Sequence, residues 1–172
     1  RVVYFNTWRF KSWPGTLGPA WMPNLSKALA DEIRSFDVIH VNGYRNLTNL
    51  PVIASANRNN IPYILQPHGG LPVIVNSFFL KRMYDMFLGK LELKKLSALV
   101  ATQKSEYEQA IARGVAPEKI YVIPNGLPST ALRNFDIASS STSFRSKYEL
   151  PEDLPIILFL ARINKKKGAD LL

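Results

Sequence analysis

Short apolar runs that alternate with helical patterns constrain the fold of this chain more than any other feature. Four of these runs are DVIHVN (37–42), PYILQ (62–66), ALVAT (98–102) and IILFLA (156–161). None alternates cleanly between apolar and polar residues, which is typical of parallel strands covered by helices on both faces. The order therefore predicts an α/β fold with a Rossmann-like parallel sheet and helices on both faces.

Two more strands and four helices complete the predicted alternation. The strands are expected at residues 2–6 and 119–123, and the helices at 24–36, 48–58, 78–95 and from 105 onward. In the last helix, Ser105 and Glu108 have the spacing of a capping box, and Gly114 supplies the left-handed residue that ends a helix.

A change in composition predicts the domain organisation. Residues 1–128 carry the strand and helix alternation, 129–154 form a Ser-rich linker with a short helix at 144–148, and 155–172 begin a second domain with a strand. Because the chain opens on a strand-like run and closes on a helix that has only begun, we expect a piece of a longer protein, truncated at both ends.

Charge and residue types limit the classes of site. The net charge of +9 favours anionic partners such as phosphorylated substrates, nucleic acid or anionic lipid, and a solvated basic surface is the alternative. The absence of cysteine excludes disulfides and thiolate metal sites in these residues. Two histidines without a matching carboxylate cluster predict no bound metal.

Polar turns follow the predicted strands, at the edge where open parallel sheets bind ligands. They are Gly43-Tyr44-Arg45, His68-Gly69-Gly70, Asn125-Gly126 and Arg162. Lys167 lies five residues after Arg162, where the next helix is expected to begin. A guanidinium, an ammonium and a helix N-terminus together suit a diphosphate, although the residues alone also allow a solvated basic turn.

Four motifs in order resemble glycosyltransferase family 4, whose members are retaining enzymes of the GT-B architecture. They are DVIHVNGYR, IPYILQPHGGLP, KIYVIPNGLP and the closing ILFLARINKKKGADLL. Ala161 replaces the glycine usual before the arginine, and Leu127-Pro128 replaces the usual Val-Asp.

The resemblance implies a role for each matching residue. Arg162 and Lys167 would bind the diphosphate of a nucleotide-sugar, and His68 would contact the donor sugar as the catalytic residue. Gly69, Gly70, Asn125 and Gly126 would line the cleft. Tyr44 and Arg45 would lie on the acceptor side, and an exposed loop is the alternative. His40, inside a strand, is expected to be a core histidine.

The helix at 78–95 allows two interpretations. Phe79, Met83, Met86, Phe87 and Leu91 form an apolar stripe, and Lys81, Arg82, Lys90, Lys94 and Lys95 make the helix basic. Packing in the core with a solvated basic rim is the preferred interpretation. Docking on anionic lipid is the alternative.

The resemblance predicts transfer of a hexose, with retention, from a nucleotide-sugar to a glycan or lipid-linked acceptor in polysaccharide or glycolipid synthesis. No cofactor or metal is expected, the location would be cytoplasmic or peripheral to the inner membrane face, and these residues alone would be inactive. Another Rossmann-like nucleotide-binding protein is one alternative, although no G-x-G-x-x-G opens a helix here. A nucleic-acid-binding module is the other, although no reading motif is present.

Overall fold

A four-stranded parallel sheet forms the centre of the first of two compact units, residues 1–124 and 125–172. The computed structural model describes residues 8–9, 20–22, 24–73, 78–129, 137–151, 153–161, 163, 167–168 and 171. The predicted strand at 2–6 lies outside them. The strands are β1 Trp8–Arg9, β2 Ala20–Trp21, β3 Ile39–Asn42, β4 Tyr63–Gln66, β5 Ala98–Ala101 and β6 Ile120–Val122. The helices are α1 Leu25–Glu32, α2 Asn49–Arg58, α3 Phe78–Tyr84, α4 Lys90–Lys94, α5 Lys104–Ala112 and α6 Ile137–Lys147.

The sheet has the order β3-β4-β5-β6 with every pair parallel, whereas β1 and β2 form a separate antiparallel pair. Between each strand of the large sheet and the next, the chain passes through a helix. Because such crossovers are right-handed and the strand order follows the chain, α2, α4 and α5 lie on one face of the sheet. The α/β, Rossmann-like prediction is confirmed.

The two faces of the sheet are buried unequally. Val41, Tyr63, Leu65 and Leu99 lie on the buried face and pack in one core with residues of α2 and α5. On the opposite face His40 is exposed. It also borders an apolar groove at the edge strand β3, which Ile39 and residues of α1 and α2 line. The expectation of a core histidine is therefore wrong, because successive strand side chains point to opposite faces and the core lies on the other one.

The predicted helix at 78–95 is one helical segment with an irregular centre. A π-helical turn, Asp85–Gly89, joins α3 to α4. A π-helical turn interrupts the regular backbone hydrogen bonds of the α-helix, and such turns are frequent at functional sites. The three elements together, residues 78–94, are called the basic segment below.

The second unit differs from its predicted secondary structure. Residues 155–160 form no strand, and Ile157 and Leu160 are almost fully exposed. A strand requires a hydrogen-bonded neighbour, and the described part of this unit contains none. The Ser-rich stretch, predicted as a linker with a helix only at 144–148, lies instead within α6.

Candidate functional site

The turn after β4 places His68 at the carboxyl-terminal edge of the sheet. His68 (φ 53°) and Gly69 (φ 70°) are both left-handed, a conformation that costs a residue other than glycine about 1 kcal/mol. The His68 side chain is exposed, and its Nε2 lies 3.1 Å from Oδ1 of Asn42, the last residue of β3. The strained backbone thus presents an imidazole to solvent.

Glu106 holds this turn from the side of α5. Its carboxylate is buried and accepts hydrogen bonds from the backbone N–H of Gly69 at 2.6 Å and of Thr102 at 2.8 Å. The Thr102 hydroxyl donates a third bond at 3.0 Å. Charge-assisted bonds of this kind are about twice as strong as neutral ones, so the turn is fixed to the end of β5.

Arg45 holds the other side of the turn. Its guanidinium donates to the carbonyl oxygens of Gly70, Leu71 and Pro72, which continue the chain after His68. The backbone of Arg45 is itself left-handed (φ 61°), so a second residue with backbone strain supports the strained turn at His68. The guanidinium is used entirely inside the protein, and its side chain is only 10% exposed.

Asp85, in the π-helical turn, is the counter-ion of Arg45. It accepts two bonds from Arg45, at 2.8 and 2.7 Å, and forms an ion pair with Arg113 at 2.9 Å. Burial alone would raise the pKa of Asp85, but the bonds from Arg45 and Arg113 outweigh burial and lower it. The carboxylate therefore stays charged and anchors both cations.

Tyr44 fills the space between these charged groups. Its hydroxyl lies 3.2 Å from Asp85 Oδ1, and the guanidinium groups of Arg45 and Arg113 lie 4.9 and 5.5 Å from its ring centroid. Burial, followed by the charge of Asp85, raises the pKa of Tyr44 to about 12. The phenol therefore stays protonated and donates its hydrogen bond.

A second buried carboxylate, Glu92, ties α4 to the core. It is fully buried and accepts hydrogen bonds from Asn49 Nδ2, at 3.1 Å, and from the Tyr84 hydroxyl. Burial raises the pKa of Glu92 in spite of the bonds from Tyr84 and Asn49, which act in the opposite direction. Glu92 therefore fixes the orientation of the basic segment at a cost in desolvation.

Two glycines allow the close approach of these elements. A Cβ at Gly70 would lie 2.8 Å from the Pro67 carbonyl oxygen and 3.3 Å from Tyr44 Cβ. A Cβ at Gly89 would overlap the Tyr44 hydroxyl. The second glycine of the His68-Gly69-Gly70 turn is therefore required by its close approach to the Pro67 carbonyl oxygen, and Tyr44 limits the space further.

The structure brings together four predicted site residues around His68. Gly69 and Gly70 form the turn, whereas Tyr44 and Arg45 lie beneath it. Their burial contradicts the exposed-loop alternative and favours a structural role over contact with an acceptor. The predicted residues of the second unit are Asn125, Gly126 and Lys167, all exposed, whereas Arg162 lies outside the described residues. The joint diphosphate site of Arg162 and Lys167 stays a prediction.

Sequence reasoning did not find Glu106, Asp85 or Arg113. The capping box assigned to Ser105 and Glu108 is wrong, because α5 begins one residue earlier with Gln103 as N-cap and no side-chain cap bond. A usable signal was Thr102 followed by Glu106, since a carboxylate in the first helical turn after a strand can reach back to the strand end. No local sequence pattern around Asp85 or Arg113 indicated that these residues support the site.

Comparisons with known proteins bear on the family and the fold of this chain. The model of Glycosyltransferase Family 4 matches residues 1–130. No curated protein matches the chain. Solved structures with a similar fold include Alr3699/HepE from Anabaena in complex with UDP and with UDP-glucose, each with a TM-score of 0.54 at 15% identity. A third, in complex with UDP and glucose, has a TM-score of 0.51 at 15% identity.

The alignments cover 74% of this chain but only about a third of the solved chains: 33% for the complexes with UDP and with UDP-glucose, and 32% for the complex with UDP and glucose. At this identity the likeness concerns the fold. The family match covers most of the chain and includes the His68 turn. This chain belongs to glycosyltransferase family 4.

Proposed function

We propose that this chain is the acceptor-side part of a glycosyltransferase that moves a sugar from a nucleotide-diphosphate donor to a hydroxyl group. The observation that carries the proposal is the His68 turn, where an exposed imidazole sits on strained backbone held by Glu106 and Arg45. Groups fixed before the substrate arrives need no reorganisation during the reaction, which is the condition for electrostatic catalysis.

His68 would hydrogen-bond the donor sugar or orient the leaving-group oxygen, since an imidazole can both donate and accept. Arg162 and Lys167 would stabilise the negative charge that develops on the departing diphosphate. Because these cations would do the work that a metal ion does in other transferases, we propose a mechanism that needs no metal. Gly69, Gly70, Asn125 and Gly126 would leave room for the substrates.

The proposal also covers the donor, the acceptor and the cellular location. UDP-glucose is the first donor to test, because a structure of similar fold was solved with it. We propose transfer of a hexose with retention to a glycan or lipid-linked glycan, in synthesis of a cell-surface polysaccharide or glycolipid on the cytoplasmic side. Among the described residues no helix is both long and apolar enough to cross a bilayer.

The test uses the chain joined to the donor-side domain that the resemblance implies. With UDP-glucose as donor, we expect His68→Ala to lower kcat by about a hundredfold or more. His40→Ala is the matched control, because His40 is also an exposed histidine of the same sheet. Equal activity of the two variants would refute the role of His68. An NMR spectrum of the anomeric proton of the product reports retention or inversion.

His68→Gly separates a catalytic from a structural histidine. Glycine relieves the left-handed strain, so we expect this variant to be about 1 kcal/mol more stable in urea denaturation and yet as inactive as His68→Ala. A loss of both stability and activity would mean that the imidazole serves the fold through Asn42.

A further inference from the structure

The outer face of the basic segment is apolar and exposed, contrary to the preferred interpretation of its sequence. The stripe predicted to pack in the core is exposed along its whole length: Phe79 73%, Met83 39%, Met86 55%, Phe87 61% and Leu91 54%. These side chains make up what is called the outer face below.

The π-helical turn explains why the stripe is continuous. Phe79, Met83, Phe87 and Leu91 are spaced by four residues, and in an α-helix with 3.6 residues per turn such a row drifts by about 40° at each step. A turn closed by i→i+5 bonds contains more residues and reverses part of that drift. Gly89 allows this turn to lie against Tyr44, so the packing of the inner side aligns the outer face.

The charges of the same segment are sorted by sign. Both acids point inward, since Asp85 pairs with Arg45 and Arg113 and Glu92 is fully buried. The cations Arg82, Lys90 and Lys94 are exposed, as is Lys95 directly after α4, and Lys81 is half-buried. The segment therefore presents large apolar side chains and positive charge to its surroundings, without an exposed acid of its own.

We propose that the outer face of the basic segment binds the surface of an anionic lipid bilayer. Phenylalanine, methionine and leucine would enter the acyl boundary, while the long cationic side chains reach the lipid phosphates. A second copy of this chain is a poor occupant, because isologous contact would bring the same cations face to face on a chain of net charge +9. The proposal is independent of sugar transfer, since vesicle binding requires neither donor nor acceptor.

The test is co-sedimentation of the chain with vesicles of phosphatidylcholine alone and of phosphatidylcholine mixed with phosphatidylglycerol, over a salt series. We expect binding to the anionic vesicles only, and weaker binding as salt rises. Lys90→Glu with Lys94→Glu should weaken binding by about twentyfold or more, because each basic residue near an anionic surface contributes about 1 kcal/mol, or about fivefold.

Matched variants distinguish vesicle binding through the outer face from binding driven by net charge alone. Lys27→Glu with Lys104→Glu changes the net charge equally at exposed lysines of α1 and α5, and it should keep most of the binding. Phe79→Ser with Phe87→Ser should lose binding, whereas Phe36→Ser, at a phenylalanine 52% exposed elsewhere, should not. Circular dichroism confirms that each variant is folded.

Three results would overturn the proposal. The first is no binding to anionic vesicles at low salt. The second is an equal loss in the α1 and α5 control variant, which would show that net charge alone drives binding. The third is self-association through the outer face without vesicle binding, seen by analytical ultracentrifugation and abolished by Phe79→Ser with Phe87→Ser. Full sugar transfer in the His68→Ala variant, with vesicle binding intact, would refute only the proposed role of His68 and leave this proposal standing.

Discussion

One polar network links the His68 turn to the basic segment, and the turn and the outer face of that segment differ in how they are held. The turn is bound by Glu106 on one side and by Arg45 on the other. The outer face has exposed side chains and no acid among them. Asp85 connects the two, because it belongs to the basic segment and holds the arginine that holds the turn. A group that must keep one geometry is fixed by buried charges, whereas a docking face is kept clear of them.

Breaking the network at Asp85 should have the largest effect. Asp85→Asn leaves Arg45 and Arg113 without their counter-ion, so we expect a loss of about 3 kcal/mol in the free energy of unfolding. Urea denaturation measures it, with the exposed Asp37→Asn as control. Because the folded pKa of Asp85 is lowered, the difference should be fully present above its ordinary pKa of 3.8 and fall as the pH drops through the folded value. Unchanged stability would mean that the ion pairs are dispensable.

Glu106→Gln should disturb the turn and spare the outer face. A glutamine has one acceptor oxygen for two backbone N–H groups, so Gly69 or Thr102 loses its partner at a cost of about 2 kcal/mol. We expect the Gly69 amide resonance in a ¹H–¹⁵N spectrum to shift while vesicle binding stays normal. Glu108→Gln, at an exposed position of the same helix, is the control. A spectrum without change at Gly69 would contradict the contact.

Glu92→Gln should change the pH dependence of stability. The folded pKa of Glu92 is raised, so the folded state keeps its proton over a range where the unfolded state has lost it. The stability of the natural chain should therefore fall, relative to the variant, as the pH rises past the ordinary value of 4.5. Urea denaturation at pH 4, 6 and 8 measures the difference between the two proteins. A difference that is constant with pH would show that Glu92 titrates normally.

Phe87→Ser should have the smallest effect on the fold. The side chain is 61% exposed, so its removal should change the free energy of unfolding by less than about 0.5 kcal/mol. The same variant should weaken binding to anionic vesicles measurably. If it destabilises the fold by more than about 2 kcal/mol, the side chain is packed against protein and the outer face is not free to dock.

The sequence predicted the strands of the large sheet, most of the helices and the family, because these depend on patterns within about ten residues. The positions of β3, β4, β5 and β6 follow from apolar runs, and His68 at a strand end follows from the turn chemistry of its glycines. The capping box, the strand at 155–160 and the burial of His40 were wrong, since each depends on a neighbour that local sequence does not specify.

The sequence by itself determined an α/β chain of glycosyltransferase family 4 with a histidine at the carboxyl-terminal edge of its sheet. Only the tertiary structure decided how that histidine is held and which side of the basic segment faces outward. The contacts of Glu106 with Gly69, of Arg45 with Asp85 and of Arg113 with Tyr44 span 37, 40 and 69 residues. Contacts of that separation form only when the packed elements meet, because no local pattern encodes which charges the folded core will bring together.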